Sequence, residues 1–174
     1  MDKSHNKIIS DIETDKNVVS VKAPFRLFKD RKRRYIRLEI SEPIEYAVLK
    51  DQSGGFWPQG NGPTYHGGIL NLSAGGVLII SNDPADEGSI VVLKMTLQEI
   101  EVLDNVIGMV KRTEHSGGEW LIGVEFITKE FLQDSFSKAE LDIIMPDLTS
   151  FDARLQDILA RYIYNERISA TGKQ

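Results

Sequence analysis

The sequence of 174 residues contains no cysteine, which excludes disulfides, thiolate metal sites and cysteine nucleophiles together. Histidine is nearly as scarce. His5, His66 and His115 stand far apart, and none has a second histidine or a carboxylate at metal-ligand spacing. No serine sits in a nucleophile-elbow pattern, and no Walker-type or dinucleotide-binding glycine motif occurs. The scattered carboxylates read as solvated surface. No enzyme is expected, so no catalytic residue, metal or cofactor is assigned. Long apolar runs are missing too, and none approaches the roughly 18 residues of a membrane-spanning helix. Met1–Asn17 is polar and mixed in charge, unlike the apolar stretch of a signal peptide. These absences lead to the expectation of a soluble, cytoplasmic protein.

What remains is a globular composition, 41% hydrophobic and 27% charged, sufficient at this length to bury a core unaided. The net charge of −5 conceals an uneven distribution. Lys29, Arg31, Lys32, Arg33, Arg34 and Arg37 place six cations in nine residues, offset only by Asp30. That window carries +5, so the rest of the chain sums to −10. An acidic protein with one basic segment attracts a small polyanion there, while its other faces repel long nucleic acid.

Periodicity divides the chain into three parts: an N-terminal arm over 1–28, expected to be flexible, a β-rich domain over 29–128, and a helical extension over 129–174. Ile8, Ile9, Ile12, Val18 and Val19 are the arm's candidates for local order. Strands are expected over Tyr35–Leu49, Gly68–Leu72, Val77–Ser81, Ser89–Leu97, Glu99–Arg112 and Glu119–Ile127, from alternation and β-prone residues. Pro43 argues against an uninterrupted central strand in the first of these. Asp51–Gly68, rich in glycine and holding two prolines, reads as a long loop or wide hairpin tip. Glu114–Gly118 reads as a hairpin loop. About six strands separated by turn signals predict a mainly β fold, a small antiparallel barrel.

The pattern then turns helical. A helix from about Lys129 to Ile144, with Thr128 as cap, would stop at Pro146. A second should cover about Ser150–Ile168, where Leu148, Phe151, Leu155, Ile158 and Tyr162 recur at spacings of 3, 4, 3 and 4. That stripe must be covered, either by the domain's own surface or by a second copy in a helix–helix homodimer.

Two segments can carry recognition chemistry. Arginine presents a planar fork that bonds phosphate or guanine O6/N7 and a face that stacks on bases. Arg33 and Arg37 lie four apart, where the basic run enters the first strand of the domain. The second segment is Asn71-Leu72-Ser73-Ala74-Gly75-Gly76. As a plain turn it uses Asn and Ser to bond the backbone and Gly for positive φ. As a binding turn it presents Asn71 and Ser73 on one face, with Leu72 in the core. The asparagine amide and serine hydroxyl suit the mixed edge of a guanine, and Gly75 and Gly76 permit close approach. Either segment alone is ambiguous.

Together they resemble the signature of the PilZ domain family, R-x-x-x-R followed by D/N-x-S-x-x-G. Here these are Arg33-Arg34-Tyr35-Ile36-Arg37 and Asn71–Gly76, with a family-like closing strand in Ile122-Gly123-Val124-Glu125-Phe126. The resemblance covers about Arg31–Ile127. It implies a six-stranded barrel and a bacterial receptor for cyclic di-GMP. On the matching positions, Arg33 and Arg37 would grip guanine edges and phosphates. Asn71 and Ser73 would bond a guanine, and Gly76 would leave room for it. Lys32, Arg34 and Gly75 are secondary candidates. The long Asp51–Gly68 segment and Lys32, directly before the first motif arginine, depart from the common pattern. The resemblance therefore leaves ligand stoichiometry open. A regulated partner protein follows from a receptor role, without nucleic-acid binding or membrane insertion. Two other readings stay open at this point: a PilZ-like adaptor that works through protein contacts without nucleotide, and a nucleic-acid binder using Lys29–Arg37.

Overall fold

In the computed structural model, residues 12–15, 18–21, 37–58, 61–97, 101–149 and 153–172 are described. Two compact units divide at Arg33/Arg34. In the first, strands β1 (Ile12–Asp15) and β2 (Val18–Val21) pair antiparallel, with Asp15 opposite Val18. Both segments are rich in β-branched residues, which favour the extended backbone. Ile12, Val18 and Val19, the sequence's candidates for order in the arm, all fall in this hairpin.

The second unit is a closed six-stranded antiparallel barrel followed by three helices. Its strands are β3 (Arg37–Lys50), β4 (Thr64–Ser73), β5 (Gly76–Ser81), β6 (Ile90–Leu97), β7 (Glu101–Ser116) and β8 (Glu119–Phe126). Their order around the barrel is β3-β4-β5-β8-β7-β6, closed by pairing of β6 with β3. Alternation puts Ile44 and Tyr46, Ile69 and Leu72, Val77 and Ile79, Leu93 and Met95, Val106 and Val110, and Ile122 and Val124 inside. This is the two-residue period of the sequence converted into a packed interior.

Pro43 does lie within a strand, at a place that tolerates it. The β3–β4 register slips between Glu39 and Glu42, and pairing with β6 begins only at Ile44. A residue without an amide proton therefore stands beside a bulge, where β3 passes from one neighbour to two. The Asp51–Gly68 segment is shorter as a loop than its composition implies, since β4 starts at Thr64. Gly67 and Gly68 are strand residues, paired with Ser81 and Ile80. Likewise β7 runs on to Ser116, and the turn needs only Gly117 and Gly118, at φ of 62° and 88°. Two successive positive φ values match the twist of a tight hairpin.

The expected helix over 129–144 is two helices, α1 (Lys129–Ser135) and α2 (Lys138–Ile144). Phe136 adopts an extended backbone between them and is buried. Ser137 then restarts the helix through a capping box with Glu140, a local signal strong enough to interrupt one helix and begin another. Thr128 stands at the cap of α1 without a side-chain cap bond. Leu132, Phe136, Ile144 and Leu148 cover Leu49, Ile90 and Ile107 of the barrel. Lys50 joins this layer to α2 through Glu140 at 3.0 Å, with its ammonium 4.7 Å from the Phe136 ring centroid.

The last helix, α3 (Ala153–Thr171), packs on β3 and β4. Leu155 and Leu159 enter the same apolar cluster as the barrel interior, with Ile158 and Tyr162 against it. Leu155, Ile158 and Tyr162 of the stripe are thus covered by the chain's own barrel, Phe151 lies outside the described residues, and Tyr164 and Ile168 are the helix's exposed large apolar residues. Leu159 is 0% exposed, so Leu159→Ala should cost about 2–5 kcal/mol. Urea denaturation at two protein concentrations should give the same midpoint shift; a concentration-dependent shift would mean that the stripe also serves between copies.

The Tyr162 hydroxyl is buried and, among the described residues, has no hydrogen-bond partner. Burial first, then Glu166 and Glu42, push its pKa up to about 12 from an ordinary 10. The folded state thus holds this proton more tightly than the unfolded chain. Stability conferred below pH 10 should fade as pH rises toward 12. Tyr162→Phe should flatten that alkaline decline without loss of stability at pH 7, measured by denaturant titration across the pH range.

Candidate functional site

Of the residues singled out in the sequence, Arg37, Asn71 and Ser73 fall on the neighbouring strands β3 and β4. The antiparallel register sets Arg37 opposite Ser73, Leu38 opposite Leu72 and Glu39 opposite Asn71. Leu72 is 0% exposed within the barrel, so Asn71 and Ser73 point outward, as alternation requires. The second arginine of the first motif is thus the direct cross-strand neighbour of the serine of the second. Lys32, Arg33 and Arg34 lie outside the described residues, and of Arg37 the backbone alone is described.

The second motif is a tight hairpin. Ser73 pairs with Gly76, and Ala74 and Gly75 form the turn. The Ser73 hydroxyl accepts from the Gly75 amide at 3.2 Å and donates to the Gly76 carbonyl at 3.3 Å. Ser73 Oγ retains an acceptor lone pair, while its proton sits in a long bond that a better acceptor can displace. Among the described residues the Asn71 amide has no hydrogen-bond partner, which leaves its donor and acceptor available. The Ser73 hydroxyl thus stabilises the hairpin, as the turn reading expects, and does so from its outer face.

Gly76 has a role that its place in the motif did not reveal. Its φ is not positive, and an added Cβ would lie 2.3 Å from the Val124 carbonyl oxygen of β8. The Phe126 amide donates to the Gly75 carbonyl at 3.0 Å. The turn is thus clamped onto β8, and the barrel itself requires glycine at 76. Sequence alone signalled a special backbone here, but only the β5–β8 pairing shows that the need is space rather than conformation.

A cavity of about 420 Å³, lined among others by Trp57, Pro58, Val48, Lys94 and Asp104, lies against β3 and β6 and shares no residue with either motif. Among the described residues no cluster of three or more His, Asp or Glu is placed to hold a metal ion. No described helix is long and apolar enough to cross a membrane.

The second unit is thus a closed six-stranded barrel with an outward-facing Asn-x-Ser-x-x-Gly turn beside an arginine-bearing strand. A family model described as the PilZ domain matches residues 31–134, and the chain belongs to the PilZ domain family. Solved structures share the fold. Escherichia coli YcgR in complex with c-di-GMP aligns with a TM-score of 0.54 and 14% identity, over 82% of this chain and 49% of that one. Bacillus subtilis inhibitor of motility (MotI/DgrA) gives 0.51 and 14%, over 79% and 52%. The K. pneumonia MrkH–c-di-GMP complex gives 0.51 and 16%, over 82% and 56%. The chain spans about half the length of these proteins. Among curated proteins, no sequence matches it significantly.

The clamp at Gly76 yields a test that needs no ligand. Gly76→Ala should destabilise the barrel by about 1–3 kcal/mol, because the methyl group drives β5 and β8 apart. A thermal melt of the free protein should show the loss; an unchanged melt would mean that the close approach to Val124 relaxes freely.

Proposed function

We propose that this chain is a receptor for cyclic di-GMP, without enzymatic activity, that changes conformation on binding to regulate a partner protein in bacterial signalling. The observation that carries this reading is the β3–β4 register. It sets Arg37, the last residue of the first motif, opposite Ser73, with Asn71 two residues further along β4. Two structural relatives, YcgR and MrkH, were solved with c-di-GMP, which supports this ligand class.

In this reading Asn71 offers its amide to a guanine edge and Ser73 accepts from it or donates to it. Arg37 and Arg33 take phosphates and guanine O6/N7. Lys32, Arg34 and Gly75 are secondary contacts. No metal or other cofactor takes part. Six cations in nine residues repel one another, and a ligand with two phosphates neutralises them and gives them fixed partners. The Lys29–Arg37 segment is therefore the proposed moving part. Its movement would change what the barrel and the N-terminal unit offer to a partner in motility, biofilm or virulence control. The setting proposed is the cytoplasm, without nucleic acid as a target and without membrane insertion. The burial of Leu155, Leu159 and Ile163 occupies much of the C-terminal apolar face that a helix–helix homodimer would use.

Isothermal titration with cyclic di-GMP tests the proposal. The unchanged chain should bind saturably, and Arg37→Ala or Arg33→Ala should each lose about 2–5 kcal/mol. A random oligonucleotide, titrated at two salt concentrations, should bind weakly at both. Undiminished dinucleotide affinity in the Arg33→Ala, Arg37→Ala double variant would refute the assignment. Steeply salt-dependent oligonucleotide binding would favour a nucleic-acid role instead.

A further inference from the structure

The strand glycines of this barrel differ in the room around them, Gly68 being intermediate with an added Cβ 3.4 Å from an Ile80 side-chain carbon. At Gly67, Gly76 and Gly108 an added Cβ would lie 2.5, 2.3 and 2.4 Å from its nearest neighbour on an adjacent strand, so packing forbids a side chain. At Gly123, on β8, it would meet nothing nearer than 3.8 Å, the Cβ and carbonyl oxygen of Arg112. Its φ is not positive either. A strand interior disfavours glycine, and here the barrel gives no reason for one. What remains is open space on the outer face.

Gly123 belongs to a row that starts at the motif turn. Across β4, β5, β8 and β7, Asn71 pairs with Leu78, Leu78 with Gly123, and Gly123 with Arg112. All share the outer face, because Leu72, Val77, Val124 and Val110 turn inward. Leu78 is half-buried and gives this row an apolar floor. Strand β7 bulges between Val110 and Arg112. Unbroken alternation would send Arg112 inward after Val110; the bulge leaves both Lys111 and Arg112 exposed. Lys111 is paired with Glu125 at 3.3 Å. Among the described residues Arg112 has no ion-pair partner.

We propose that Arg112 is a further ligand-contacting residue, reaching across the space at Gly123 to the part of cyclic di-GMP that extends from Asn71 over Leu78. This rests on the receptor reading above. Asn71 and Arg112 are three strand spacings apart, roughly 14 Å, a span that a two-base ligand and an arginine side chain share. Leu78 receives the face of a purine. The Arg112 guanidinium bonds a phosphate or a guanine O6/N7 pair, or stacks on the base. Any side chain at 123 would occupy the path.

The test compares cyclic di-GMP titrations of the unchanged chain, Arg37→Ala, Arg112→Ala, Arg112→Lys and Gly123→Val, each with a thermal melt. Arg112→Ala should weaken binding by roughly tenfold or more, and Arg112→Lys should recover part of the loss. Gly123→Val should weaken binding while melting no lower than the unchanged chain, because its Cβ fits and valine suits a strand. Undiminished affinity in Arg112→Ala or in Gly123→Val, beside a loss in Arg37→Ala, would overturn this inference alone. Failure of the unchanged chain to bind would overturn the receptor reading and this inference with it.

Discussion

The turn at Ser73–Gly76 cannot move independently of the barrel, and most of the site's geometry follows from that constraint. On one side Ser73 is held to Arg37 by the β3–β4 ladder. On the other, Gly76 lies so close to β8 that its missing side chain is replaced by the Val124 carbonyl. The Gly75 carbonyl takes the Phe126 amide, and the Ser73 hydroxyl closes the hairpin from within. Three strands therefore fix one short turn. Asn71 and Ser73 project from a surface whose position is set by the closed ladder rather than by a loop, the rigidity that recognition of a fixed hydrogen-bonding edge requires.

The helices reinforce the same strands. The cluster of α1 and α2 seals the far end of β3 at Leu49 and Lys50, while α3 lies on β3 and β4 and extends the interior core. The C-terminal extension is thus structural support for the two strands that carry the motifs. A perturbation at Arg37 or Asn71 has a direct mechanical route to α3, because both elements share a backbone ladder and a core. The chemical asymmetry is equally plain: a −10 remainder surrounds a +5 window, so an anion is drawn to one segment and repelled elsewhere.

The barrel was largely legible in the sequence because its interior positions alternate with little interruption. Val77, Ile79 and Ser81 all face inward, as do Ile122, Val124 and Phe126. Legibility failed where local chemistry overrode the period. Phe136 and Ser137 split a helix whose apolar spacing runs through them, and the capping box lay in Ser137 and Glu140 as a signal that could have been read. Thr64–Gly68 looked like loop because glycine lowers strand propensity, yet Gly67 is there to let β5 approach. For the site, Asn71 and Ser73 emerge on the face that alternation assigned to them. The row through Leu78, Gly123 and Arg112 was not legible at all. It depends on bulges at Ile69/Asn71 and Val110/Arg112, and a bulge resets which residues face outward without leaving a clear mark in composition.

A closed barrel imposes a last constraint on how this domain can bind anything. Its interior is filled by side chains, and closure leaves no free strand edge for an added strand. Recognition through the barrel must then use outward side chains, which around the turn are the neutral Asn71, Ser73 and Leu78, together with charged side chains that arrive from elsewhere. In the proposed reading Asn71 and Ser73 would select a base edge, but two neutral groups would not hold a dianionic ligand in water. The holding charge has to come from residues flanking the turn. In the proposed reading the basic window would supply it from the β3 side, and Arg112, which the β7 bulge leaves exposed, from the other. Placed on opposite sides of a neutral, apolar-floored strip, the two sources would grip a ligand from both ends. In that reading, a charge anomaly in the sequence becomes one half of a directional clamp.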